Sequence, residues 1–216
     1  MKTNLAIAHE ATFWPFFSWR EFSLLPDREG VVVIVPITGF TDWEPSLPLD
    51  FEENLLLPLL REALTGIDSS DRYRVLPPQR FNLGKAGRSF FTVDAETAHR
   101  ALEEIVRSIR DAGFSKILFL NSNPWNEDLI DCAGRDLRIA LQVQPFCINL
   151  SSLGLDWHSE EGFAKIRRIG EELNGSGSDS RHSDKLAGHL GSLLEEVRQF
   201  RRLPDNGTIP RKTADE

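Results

Sequence analysis

Apolar residues along the chain fall into two patterns. Two runs are continuous, "VVVIVPI" at 31–37 and "KILFL" at 116–120. Uninterrupted β-branched and aliphatic runs of this length predict strands buried on both faces of a sheet. "QVQPFCINLSSL" at 142–153 adds a further strand. Other segments are periodic. In "DAETAHRALEEIVRSIRDAG" (94–113) the residues Ala98, Leu102, Ile105, Val106 and Ile109 share one helical face, with Asp94 as cap and Gly113 as stop. "EENLLLPLLREAL" (52–64) reads as a helix with Pro58 inside it, and "EDLIDCAGRDLRIAL", "HSEEGFAKIRRIGEEL" and "KLAGHLGSLLEEVRQFRRL" read as three more. "SWREFSLLPDREG" starts a short helix, with Ser18 and Glu21 at capping-box spacing. The stretch 71–93 carries one short strand in an irregular segment. Strands alternating with helices predict an α/β fold in three α/β/α layers around a mostly parallel sheet.

The pattern spans residues 1–203 as one domain. "NGSGSDSRHSD" (174–184) is a flexible linker by composition, and residues 204–216 are a polar, disordered tail. The chain of 216 residues has a net charge of −8, which argues against nucleic acid as a partner. Cys132 and Cys147 have neither zinc nor redox spacing and read as reduced, buried thiols. With no signal-peptide pattern and no membrane-length apolar run, the expected location is cytoplasmic.

Polar chemistry concentrates where the strands should end. "TGFTDWEPSLPLDFEE" follows the first strand and "NSNPWNED" follows the second. Open α/β sheets bind ligands outside the carboxyl ends of their strands. In these segments Pro45–Leu49, Gly113, Phe114, Asn121 and Asn126, with Gly188, His189 and Gly191 of "AGHLGS", resemble the creatininase family over residues 19–196. Its members are metal-dependent amidohydrolases of three-layer fold. The resemblance places the family's first loop glutamate on Thr41, its loop histidines on Trp43 and Ser46, and its aspartate on Glu52. It places the histidine of N-G-H on Asn123, a further carboxylate of some members on Trp125, and the glutamate of G-H-A-G-E on Ser192. Of these positions only Glu52 keeps a metal-binding group, while His189 keeps the imidazole of a catalytic base.

A metal that activates water needs anionic or imidazole ligands, typically three from the protein. Thr41 and Asn123 are weak neutral donors, and tryptophan offers no acceptor. The implied protein is therefore a catalytically inactive member with no cofactor, a scaffold or binding subunit that assembles with itself or with an active paralogue. Trp43 and Trp125 are expected to fill the former metal site. One alternative is an amidohydrolase with a rewired site, cleaving a cyclic amide or related C–N bond with Zn or Mn. Another is a regulatory module whose small-molecule ligand lies among Thr41, Trp43, Ser46, Asn123 and Trp125. The acids Asp42, Glu44, Asp50, Glu52 and Glu53 could also form a displaced cation site or simply a solvated loop and helix start. "LGKAGRS" (83–89) invites a phosphate-loop reading but lacks the Walker pattern. His9, His99 and His158 read as structural or surface residues, and His182, in the linker, is a weaker candidate for the position given to His189.

Overall fold

The computed structural model describes residues 11–25, 27–83, 89–175 and 180–200. His9, the Lys85 and Arg88 loop and the 204–216 tail lie outside them. Helix α1 (Trp19–Ser23) opens the fold on the expected Ser18–Glu21 capping box. Strand β1 (Val32–Thr38) is followed by the short β2 (Phe40–Thr41) and by α2 (Phe51–Thr65). Next come β3 (Tyr73–Val75), β4 (Gln79–Arg80), β5 (Asn82–Leu83), β6 (Ser89–Phe90) and β7 (Thr92–Val93). Then α3 (Ala95–Asp111), β8 (Lys116–Asn121), α4 (Glu127–Ala140) and β9 (Gln144–Asn149) alternate, and α5 (Glu160–Leu173) and α6 (Arg181–Gln199) complete the order.

The central sheet runs β3–β1–β8–β9 with β4 continuing beside β1, and all of these pairs are parallel. Every residue of β1 and β8 is buried. Alternation within those runs divides the core. Val32, Ile34, Leu118 and Leu120 face α2, α5 and α6, whereas Val33, Val35, Ile37, Ile117 and Phe119 face α3 and α4. This gives three layers, with helices on both faces of a mostly parallel sheet.

The helices follow from local chemistry. Asp94 accepts a hydrogen bond from the Thr97 amide and caps α3. Pro58 cannot donate within α2, and the Asn54 carbonyl left over one turn earlier accepts from Asn174 Nδ2 at 3.2 Å. The segment expected as a linker is shorter than its composition implied, because Arg181–Asp184 already form the first turn of α6. The Glu172 carboxylate reaches across from α5 and accepts the His182 and Ser183 amides, so that turn is capped from outside. Cys132 is exposed rather than buried, because it lies on the outer side of α4 between the buried Ile130 and Ala133. Among the described residues, no helix is long and apolar enough to cross a membrane.

Candidate functional site

Chain order reverses beside β1, since β3 joins one edge and β8 the other. The crevice at the carboxyl ends of β1 and β8 is the switch point where such sheets place ligands. Gly39, Phe40 and Thr41 leave β1 there, and Ser122 and Asn123 leave β8. Glu52, in the first turn of α2, points in from one side with no exposed surface.

The Glu52 carboxylate accepts four hydrogen bonds. The Gly39 amide donates to Oε2 at 2.8 Å, and Ser122 Oγ shares its one proton between Oε2 and the Ile37 carbonyl, each at 3.3 Å, while Trp43 Nε1 and Asn123 Nδ2 donate to Oε1 at 3.0 and 3.1 Å. Burial pushes its pKa above the usual carboxylate value, and the four donors pull it back. The positive end of α2 also favours the charged form. Asn123 Nδ2 donates in addition to Asn82 Oδ1 at 2.6 Å, and its own Oδ1 accepts the Trp125 amide. Asn82 in turn donates to the Phe40 and Phe90 carbonyls, tying β2 to β6. Asn121 bridges the Asn123 backbone and Asn149, and Asn126 is held by the Phe81 carbonyl and the Leu83 amide. Gly39 is required for this closeness, because a Cβ there would collide with both Asn82 and Asn123.

Above the carboxylate lies an aromatic cluster. Trp43 stacks on Trp125 with ring centroids 5.0 Å apart and planes 11° from parallel, and it packs against Trp157 at 4.6 Å and Phe163 at 5.9 Å. Trp43 and Trp125 are partly buried, and so less enclosed than site-filling core residues would be. Thr41 is buried with its hydroxyl unpaired among the described residues.

The structure thus gathers Trp43, Glu52, Asn123 and Trp125 into one cluster, with Thr41 beside it. It leaves Ser46 exposed on the loop and His189 exposed on α6 between the buried Ala187 and Leu190; neither bonds to Glu52. The acids of the 42–53 stretch disperse. Glu53 forms a two-bond pair with Arg80, Glu44 pairs with Arg167 at 3.1 Å, and Asp50 accepts from Asn54. Among the described residues no three His, Cys, Asp or Glu side chains converge as metal ligands. Gly39, Asn82, Ser122 and Trp157 were not singled out from the sequence. Asn82 lies in an irregular stretch with no periodicity, and Trp157 sits in a polar context that reads as a helix start.

No curated protein matches the chain significantly. Solved structures do, at identities that show the fold alone. A creatininase with Mn aligns at TM-score 0.67 and 12% identity, covering 88% of this chain and 99% of its own. A creatininase variant complexed with creatine aligns at 0.64 and 13%, covering 86% and 97%. A Zn–Zn creatininase variant aligns at 0.60 and 13%, covering 86% and 93%. The family model described as creatininase, creatinine amidohydrolase, matches residues 16–185. The crevice residues thus stand on a known scaffold, and the chain belongs to the creatininase family.

Proposed function

We propose that the protein is a non-catalytic member of its family, a cytoplasmic scaffold or binding subunit assembling with its own copies or with an active paralogue. The observation that carries this reading is the hydrogen bonding of Glu52. Both carboxylate oxygens are already taken by four protein donors, and each donor would have to turn away to admit a cation. The Zn or Mn of related structures needs several anionic or imidazole ligands. Here one carboxylate meets amides, a hydroxyl and an indole, so these residues do not fit such a centre. Without metal-activated water, the exposed His189 has no nucleophile to serve as a base. The complete sheet, glycine turns and packed helices favour a scaffold retained for binding. The free thiols Cys132 and Cys147 fit a reducing compartment.

The test is metal content of protein purified without chelators or an affinity tag, then with Zn and Mn added separately, alongside creatinine hydrolysis. The expected result is substoichiometric metal and no turnover under either condition. Near-stoichiometric, tightly held metal accompanied by hydrolysis would establish the rewired amidohydrolase instead.

A further inference from the structure

The aromatic cluster over Glu52 is arranged like an occupied binding site. A flat ring, Trp43, lies against Trp125, Trp157 and Phe163, and its single N–H is directed at a buried carboxylate 3.0 Å away. Stacking faces plus one convergent polar group are what a small-molecule site offers a heteroaromatic ligand. Here the ligand's place is taken by the chain itself.

Three observations distinguish this ring from ordinary core. Trp43 belongs to the loop after β2, and the neighbouring tether from that loop to α5 is the Glu44–Arg167 pair, whose side chains are 36% and 42% exposed. Such exposed pairs hold a loop weakly. Trp157, only 4% exposed, has an indole N–H with no acceptor among the described residues, so the cluster's hydrogen bonding is incomplete. A cleft of about 300 Å³ opens beside the cluster, bounded by Pro124, Leu155, Trp157 and His158.

We propose that this is a binding site for a flat, neutral heteroaromatic molecule bearing an N–H, and that Trp43 occupies it as an internal ligand until such a molecule displaces it. The incoming N–H takes over the bond to Glu52 and the ring takes over the stacking. A ring that also carries an acceptor could satisfy Trp157. The proposal rests on the non-catalytic reading, since Glu52 must be free of metal to receive the N–H.

Self-occupancy makes a quantitative demand. A ligand that must evict a side chain binds more weakly by the fraction of molecules already open. Indole and 1-methylindole, which differ in the N–H, serve as probes in calorimetric titrations of the full chain. Indole should bind Trp43→Gly at least about ten-fold more tightly than the unsubstituted protein. In that variant 1-methylindole should bind at least about ten-fold more weakly than indole, because it leaves the carboxylate unpaired. If Trp43→Gly does not fold by circular dichroism, Trp43→Leu replaces it. In the unsubstituted protein labelled with 5-fluorotryptophan, saturating indole should shift the fluorine resonance of Trp43, assigned by its loss in Trp43→Phe.

No indole binding to a folded variant would overturn the proposal. So would equal affinity for the two probes, or an unsubstituted protein that binds as tightly as the variant or not at all. The metal measurement keeps the two ideas separate. A metal-free protein that ignores indole defeats only the binding site, whereas a metal-loaded, active protein defeats the non-catalytic reading.

Discussion

The Glu52 carboxylate has no exposed surface and faces four donors, two at each oxygen. Burying an ion is costly unless its lone pairs are filled, and here the Gly39 amide, the Trp43 indole and the Asn123 amide fill them. Gln at this position tests how far those donors depend on having two acceptor oxygens. Its amide nitrogen would have to confront either the Gly39 amide or the Trp43 and Asn123 donors. Glu52→Gln should therefore destabilise the protein by about 2 kcal/mol at neutral pH in urea denaturation, in line with leaving buried donors unpaired. An unchanged midpoint would show that the Gly39, Trp43 and Asn123 donors find other acceptors once the carboxylate is gone. The roles of Trp43 and Asn123 follow from the same geometry, because each donates to this one acceptor while the rest of its side chain packs on its neighbours.

At the scale of elements, the crevice depends on how close three strand ends can approach. Gly39 lets Asn82 from β5 and Asn123 from the end of β8 meet directly behind the end of β1. Gly39→Ala should cost about 2–3 kcal/mol through overpacking and loss of the Asn82–Asn123 bond. Near-wild-type stability by denaturant midpoint would show that the amide network is not rigid. β1, β8 and the long helices were readable in the sequence because burial on two faces leaves continuous apolar runs and burial on one face leaves a 3.6-residue period. The miniature strands from β4 to β7 were not. Each has two residues, too few to show a period, and their pairing is fixed by side chains such as Asn82 rather than by an apolar face. The site shows the same division. Glu52, Trp43, Asn123 and Trp125 were found because they sit at motif positions after strong strands, whereas Asn82 and Trp157 reach the crevice from segments without pattern.

Across the whole molecule the two ends of the sheet carry acids of opposite character, a half-buried one at the amino end and a fully buried one at the carboxyl end. At the amino end Glu195 of α6 accepts from Tyr73, Ser69 and Arg198, while Lys116 at the start of β8 donates to the Arg198 carbonyl. Those bonds, Arg198 foremost, lower Glu195 to about 2, and they lock the last helix to the strand starts. Its folded value lies below the ordinary value of 4.5, so its contribution is complete above pH 4.5 and disappears as the pH falls to about 2. At the carboxyl end Glu52 is shifted upward by burial, so its contribution has the reverse sign. It is most favourable below 4.5 and declines as the pH rises through the folded value. Denaturation measured at a series of pH values separates the two. Glu195→Gln should flatten the loss of stability between pH 4.5 and about 2, and Glu52→Gln should flatten the decline above 4.5 while leaving the acid limb intact. An unchanged acid limb in Glu195→Gln would show that α6 is not held by this carboxylate. The amino end of the sheet would then be anchored by packing and by the Lys116 bond to the Arg198 carbonyl.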